Sequence, residues 1–281
     1  MQPYKNRVLV FGGTHGNEFT GIFTVTRYAD YFKAKYPSLK LEFIFSNPEA
    51  YKINKRFKDE DLNRAFQFLA ESRPASYELK RAAEIKALVD ASPCFVIDLH
   101  TTTSNMGKTL ILTDYDQLNL YLSAAVCRSH SDARIIGSPD PHKKYLASQS
   151  KQSLMIEVGP VANGVVDATV LEGTVALLDT ILKALSFLPE KLEGSFDLYE
   201  EVQDVRYPAN ANGEINAYIH PFLQGKDFSA VKGEFLAFRD FEGRDIKQES
   251  KEELYPIFIN EAAYYPQQLA FTLCKKSLRQ I

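Results

Sequence analysis

Short apolar runs that stop on turn residues, alternating with longer segments of helical periodicity, constrain this chain more than any other feature. Residues 8–11 end at Gly12-Gly13, and residues 41–45 close before Asn47-Pro48. Residues 95–97 lead into Asp98-Leu99-His100, residues 109–112 form a further run, and residues 154–156 lead into Glu157-Val158-Gly159-Pro160. Each reads as a buried strand bounded by a turn. Between them, residues 18–36 carry Ile22, Val25, Tyr28 and Phe32 at helical spacing, and residues 77–89, 118–126 and 169–188 show the same period. Strands alternating with helices predict an α/β fold layered on a largely parallel or mixed central sheet.

The pattern changes after Pro189. Tyr207-Pro208, Asn212-Gly213 and Lys232-Gly233 punctuate short mixed runs at 215–219 and 235–238. Asn-Gly between such runs is a hairpin signal. The division expected is a layered domain over residues 1–194 and a smaller β-rich domain over 195–281.

The 281 residues suffice for that arrangement and a substantial core. Hydrophobic residues at 45% and charged residues at 25% exclude disordered, collagenous and coiled-coil readings. With 33 Lys+Arg against 36 Asp+Glu the net charge is −3, so no general nucleic-acid partner is expected. The three cysteines, Cys94, Cys127 and Cys274, are odd in number and widely spaced, which fits neither a disulfide framework nor a thiolate metal site and points to a reducing compartment. Residues 1–8 lack a signal-peptide pattern, and no apolar run approaches the roughly 18 residues of a membrane span. A cytoplasmic protein with no membrane partner is expected, and a homodimer is the base-rate assembly.

Three strand ends carry chemistry: Gly12-Gly13-Thr14-His15-Gly16-Asn17-Glu18, Asp98-Leu99-His100, and Glu157. Ligands of open α/β sheets gather at the carboxyl ends of strands, so these distant residues can converge. Two histidines and a carboxylate, with a fourth position left to water, form a catalytic zinc set. His15-x-x-Glu18 lets both side chains reach one metal from a turn entering a helix, and Glu157 is left over as a general base. Asp98 is expected to face away from His100, as a supporting or structural acid. Singly, a histidine at a strand end is more often structural, and His130, His142 and His220 are assigned that role. Jointly, the set points to zinc. Taken alone, the charged run from Arg56 to Arg64 reads as a solvated loop. Its arginines and Asn63 could alternatively hold a carboxylate and polarise a carbonyl.

With these residues in place, the chain resembles the aspartoacylase and succinylglutamate desuccinylase family, which is similar to zinc carboxypeptidases. The matching strings are Phe11-Gly-Gly-Thr-His-Gly-Asn-Glu18, Asp61-Leu-Asn-Arg64, Asp98-Leu-His100, Thr102-Thr-Ser-Asn-Met-Gly107, Ile156-Glu-Val-Gly-Pro160 and Asn260-Glu-Ala-Ala-Tyr-Tyr265, in the family's order along almost the whole chain. The resemblance implies a zinc-carboxypeptidase-like catalytic domain with one Zn2+ per subunit on His15, Glu18 and His100. It implies that Glu157 activates the attacking water and passes its proton to the leaving amine. By the same resemblance Arg56 polarises the carbonyl, Asn63, Arg64 and Tyr264 bind the substrate α-carboxylate, Tyr145 lines the pocket, and the C-terminal domain narrows the entrance to N-acyl amino acids.

One departure bears on substrate. Where the aspartoacylase pattern has an arginine for the aspartate side chain, the alignment from Tyr145 places Gln149, which offers hydrogen bonds but no charge. Lys151 stands nearby as a substitute. N-acetyl-L-aspartate is therefore the default substrate and a neutral or aromatic N-acyl amino acid the alternative. A non-catalytic phosphate or nucleotide binder using the glycine loop is the reading from another class; the loop lacks a lysine and carries Glu18.

Overall fold

The computed structural model describes residues 6–72 and 74–281; the absence of a signal peptide was argued largely on residues outside that range. Its strands are β1 (Arg7–Gly12), β2 (Lys40–Phe45), β3 (Phe95–Thr101), β4 (Gly107–Leu112), β5 (Arg134–Gly137), β6 (Ser153–Gly159), β7 (Ser195–Arg206), β8 (Ala217–Ile219), β9 (Val231–Asp240), β10 (Asp245–Ile257) and β11 (Leu269–Gln280). Its α-helices are α1 (Phe19–Arg27), α2 (Ala29–Lys35), α3 (Pro48–Lys52), α4 (Leu62–Ala65), α5 (Tyr77–Asp90), α6 (Gln117–Ser129) and α7 (Ala168–Ser186). The strands join in one mixed sheet in the order β2-β1-β3-β6-β4-β5-β7-β11-β10-β9-β8. Parallel pairing links β2, β1, β3 and β6, β4 runs antiparallel to β6, and the C-terminal strands are antiparallel.

The period-2 alternation of a strand decides what each face holds. Val8, Val10, Ile97, Leu99, Leu154, Ile156 and Val158 point into one core with residues of α1, α6 and α7. Leu9, Phe11 and Val96 point to the other side, where Leu79, Ala82, Ile85 and Val89 of α5 cover them. Full burial of a side chain such as Phe11 or Ile97 contributes about 1.5–3 kcal/mol. The same alternation that sends Leu99 and Ile156 into the first core turns His100 and Glu157 to the second face.

Three sequence expectations need revision. The segment 18–36 is two helices meeting at Tyr28, because Thr24 and Thr26 bond back to the carbonyls of Thr20 and Ile22, a pattern that bends helices. Asn212-Gly213 makes a tight turn closed by a single Ala209–Ile215 bridge, not a full hairpin. Lys232-Gly233 lies inside β9, where Gly233 (φ +67°) borders a register shift against β10.

The C-terminal part contains a carboxylate with one unsatisfied oxygen. Asp227 accepts the Ile259 N–H at 2.9 Å through Oδ1, but its buried Oδ2 has no hydrogen-bond partner among the described residues. Burial pushes its carboxyl up to about 6. The neutral form therefore favours the fold, and that stabilisation is present below the ordinary aspartate range and lost as pH rises through 6. Asp227→Asn should raise unfolding free energy by roughly 1–2 kcal/mol above neutral pH and give little or nothing below about pH 4. Denaturant titrations at the two pH values check this; an equal gain at both would exclude the carboxylate charge as the cause.

Candidate functional site

The turn after β1 is built by close approach. A Cβ on Gly12 would lie 2.2 Å from the Gly21 carbonyl oxygen, so α1 packs directly onto the strand end, and Gly13 takes φ +71°. The Glu18 N–H closes the turn on the His15 carbonyl at 3.2 Å. His15 and Glu18 are both buried where the chain enters α1. Next to β1, β3 carries His100, and the register of β3 with β6 sets Glu157 beside it.

Asp98 is a correction. Residues two apart in a strand share a face, and β3 continues through Thr101, so Asp98 points the same way as His100 and contacts it.

The geometry converges on Glu18. His15 Nδ1 lies 2.6 Å from Glu18 Oε1, and His100 Nδ1 lies 3.1 Å from Oε2, which also accepts the Thr101 N–H at 3.1 Å. The opposite ring nitrogens are backed by acids: His15 Nε2 by Asp61 Oδ1 at 3.1 Å, and His100 Nε2 by Asp98 Oδ2 at 2.8 Å. Thr14 Oγ1 donates to Asp98 at 2.7 Å. One donor atom from each of His15, Glu18 and His100 lies within 4.8 Å of the others, and all three residues are buried. Histidine ligands of a metal commonly have their second nitrogen held by a carboxylate, which fixes the ring and its tautomer. Both imidazoles meet that condition with Nδ1 facing inward, so the residues present fit a zinc ion.

The electrostatics agree. Burial opposes charge on Glu18, but the two imidazoles outweigh it and hold the carboxyl well below the usual range. Burial likewise opposes charge on His100, but Asp98 and Glu18 hold the imidazole well above its ordinary value. An ionised Glu18 is ready to bind a cation, and a divalent ion bound there would displace the proton that His100 holds. Glu157 behaves oppositely: burial raises its carboxyl to about 8, His100 offsets part of this, and Glu18 and Glu261 add to it.

The run from Arg56 to Arg64 is not a free solvated loop. The buried Glu78 of α5 accepts the N–H groups of Lys58, Asp59 and Glu60 at 2.7, 3.0 and 3.3 Å and fixes the loop over the site. Arg56 is held by Asp61 at 3.1 Å and reaches Glu18 at 3.4 Å. Asp61 also caps α4 through the Asn63 N–H. Asn63 Oδ1 accepts the Leu146 N–H at 2.9 Å, and the Arg64 guanidinium lies 4.6 Å from the centroid of the Tyr145 ring. His15, Glu18, His100, Glu157, Arg56, Asn63, Arg64, Tyr145 and Tyr264 all line one cavity of about 860 Å3. Burial, then the Glu157 carboxylate, raises the Tyr264 hydroxyl above its ordinary value, so it stays a neutral donor.

Gln149 is not brought there. It is buried with its amide donating to the Lys143 and Tyr145 carbonyls at 2.8 Å each, and it does not line the cavity. A 3-10 turn over Ala147–Gln149 folds that side chain back on its own loop. Lys151 is exposed and also off the cavity wall. The remaining histidines are elsewhere: His130 meets Thr180, His142 is exposed, and His220 is buried against Arg239 and Asp245.

Sequence reasoning gave Glu261 no role, although it stands in the string Asn260–Tyr265. Its Oε2 accepts the hydroxyls of Thr102, Thr103 and Ser104 and the Thr103 and Ser104 N–H groups, joining the C-terminal part to the loop after His100. An acid shortly before two tyrosines was its only sequence signal.

Comparison with known proteins agrees with this architecture. The succinylglutamate desuccinylase/aspartoacylase catalytic domain profile matches residues 4–185, and the AstE/AspA barrel-sandwich hybrid domain profile matches residues 194–276. A probable aspartoacylase from Nostoc sp. is 36% identical over 97% of each chain. An N-acyl-aromatic-L-amino acid amidohydrolase (carboxylate-forming) from Xenopus laevis is 34% identical over 98% of this chain and 96% of its own. The crystal structure of murine aminoacylase 3 superposes with a TM-score of 0.90 at 30% identity, over 98% of this chain and 96% of that one.

Proposed function

The chain belongs to the succinylglutamate desuccinylase/aspartoacylase family and is a hydrolase of amide bonds, and on that premise we propose that it removes the acyl group from N-acyl-L-amino acids with one zinc ion on His15, Glu18 and His100. The observation that carries this reading is the pair of imidazoles turning Nδ1 onto one carboxylate while acids hold their other nitrogens, with Glu157 alongside. Zinc bound there supplies Lewis acidity to the carbonyl and the attacking water. Arg56 faces the carbonyl oxygen and stabilises the charge that grows on it. Glu157 takes a proton from the attacking water and delivers it to the nitrogen as the C–N bond breaks. Arg64 and Asn63 Nδ2 hold the α-carboxylate, and the neutral Tyr264 hydroxyl donates beside them. The catalytic domain occupies residues 1–194, and the part from 195 to 281 narrows the entrance.

N-acetyl-L-aspartate, giving acetate and L-aspartate, is the default substrate. A second carboxylate needs a second cation, and among the described residues the cavity offers only Arg56 and Arg64 besides its histidines. That observation favours a substrate with a side chain other than aspartate's. Zinc-loaded protein is expected to release free amino acid from a panel of N-acyl-L-amino acids, to stop when chelated and to resume on zinc addition. Release that survives complete removal of metal would overturn the zinc reading, and no release from any member would overturn the deacylase reading.

A further inference from the structure

We infer that Glu201 reads the substrate side chain and selects a long one ending in a cationic amine, as in an Nα-acyl derivative of lysine or ornithine; the inference rests on the deacylase reading above. Glu201 lies on β7, one residue beyond Glu200, which pairs with Gly137 at the end of β5. It lines the same cavity as Glu157, and its Oε2 accepts the Ser138 hydroxyl at 3.0 Å. It is exposed to solvent. β3 and β7 are separated by β6, β4 and β5, so the backbones of His100 and Glu201 stand four strand spacings apart, roughly 19 Å along the sheet.

What lies between them matters as much as the distance. Met155 of β6 and Ile111 of β4 are paired in register, share the face of Glu157, and line the cavity between its metal-site end and Glu201. An amino acid held at its α-carboxylate by Arg64 would lay methylene groups over that apolar strip and bring its terminal group toward Glu201. An aspartyl side chain is too short to cross it.

The charge at the far end is uncompensated. Asp204 also lines the cavity, with Oδ1 accepting the Thr272 hydroxyl at 2.8 Å. Among the described residues no ion pair reaches Glu201 or Asp204. The cavity's two arginines stand at the opposite end, Arg56 on Glu18 and Asp61, Arg64 over Tyr145. Gln149 and Lys151, the residues that the sequence offers for side-chain recognition, face elsewhere. A carboxylate entering this end meets two carboxylates and no cation. An alkyl end leaves Glu201 without a cationic partner, whereas an ammonium group forms a charge-assisted hydrogen bond with it.

Nα-acetyl-L-lysine and Nα-acetyl-L-norleucine share their tetramethylene chain and differ in whether it ends in an ammonium group or a hydrogen, so their ratio isolates the interaction. With zinc-loaded protein, kcat/KM should favour the lysine derivative by about tenfold or more, a difference of the size expected for one charge-assisted bond. Glu201→Gln should bring the ratio close to one. Glu201→Lys should invert it. Turnover of the norleucine derivative without a lysine preference, or a preference that persists in Glu201→Gln, overturns the role of Glu201 and leaves the deacylase reading standing. No turnover of any derivative overturns that reading and this inference with it.

Discussion

Replacing Glu157 with Gln is expected to leave zinc content near that of the parent protein while lowering kcat by about 10²–10⁴-fold. The two outcomes separate because Glu157 is not among the three converging donors, although β6 sets it directly beside His100. Burial raises its carboxyl to about 8, where it holds a proton near neutrality and can also give it up. A zinc ion bound in the site would add positive charge and move that value down, toward the ionised form a base needs. Gln keeps the shape and can still orient a water molecule, but it cannot carry a proton from water to nitrogen. The variant should therefore lose the rise in rate with pH that reports a carboxyl group, and KM should change far less than kcat. Metal analysis and steady-state kinetics on one preparation settle the matter: near-parental kcat would remove Glu157 from the proton path, and lost zinc would make it a ligand.

Much of this site was legible because strand periodicity is a strong signal. Apolar runs ending in His100 and Glu157 announced buried strands, and chemistry at the carboxyl ends of strands follows from the layered fold. The residues that hold the site were harder to read. Asp98 was assigned to the wrong face although the period of the strand already placed it beside His100. Glu78 lies far from the loop it fixes and looks in sequence like any helix-surface acid. Gln149 could be aligned with a specificity position, yet its direction depends on a three-residue turn that carries no sequence signature. β5 escaped notice because Arg134–Gly137 is only four residues long, and with it went the neighbour that aligns β7 and brings Glu201 to the cavity.

Removing the Glu261 side chain, as in Glu261→Ala, is expected to cost about 3 kcal/mol of stability and most of the activity. The carboxylate is buried, and Oε2 alone accepts Thr103 N–H at 2.8 Å, Thr103 Oγ1 at 2.9 Å and Ser104 N–H at 3.2 Å, with the Thr102 hydroxyl closer still. Oε1 accepts the Ala263 N–H at 3.0 Å and so shapes the turn that presents Tyr264. Alanine strands these donors where few can turn to water, and unmade buried hydrogen bonds of this kind cost about 1–3 kcal/mol each before relaxation. The loss falls on both sides of the cavity at once: residues 102–104 follow the strand bearing His100, and Tyr264 faces Glu157. Melting temperature should drop by roughly 6–12 °C. Glu261→Gln, which keeps one acceptor oxygen, should recover part of the stability and activity together. If Glu261→Ala instead melted like the parent while activity vanished, the carboxylate would belong to the reaction itself and not to the clamp that joins the two parts of the chain.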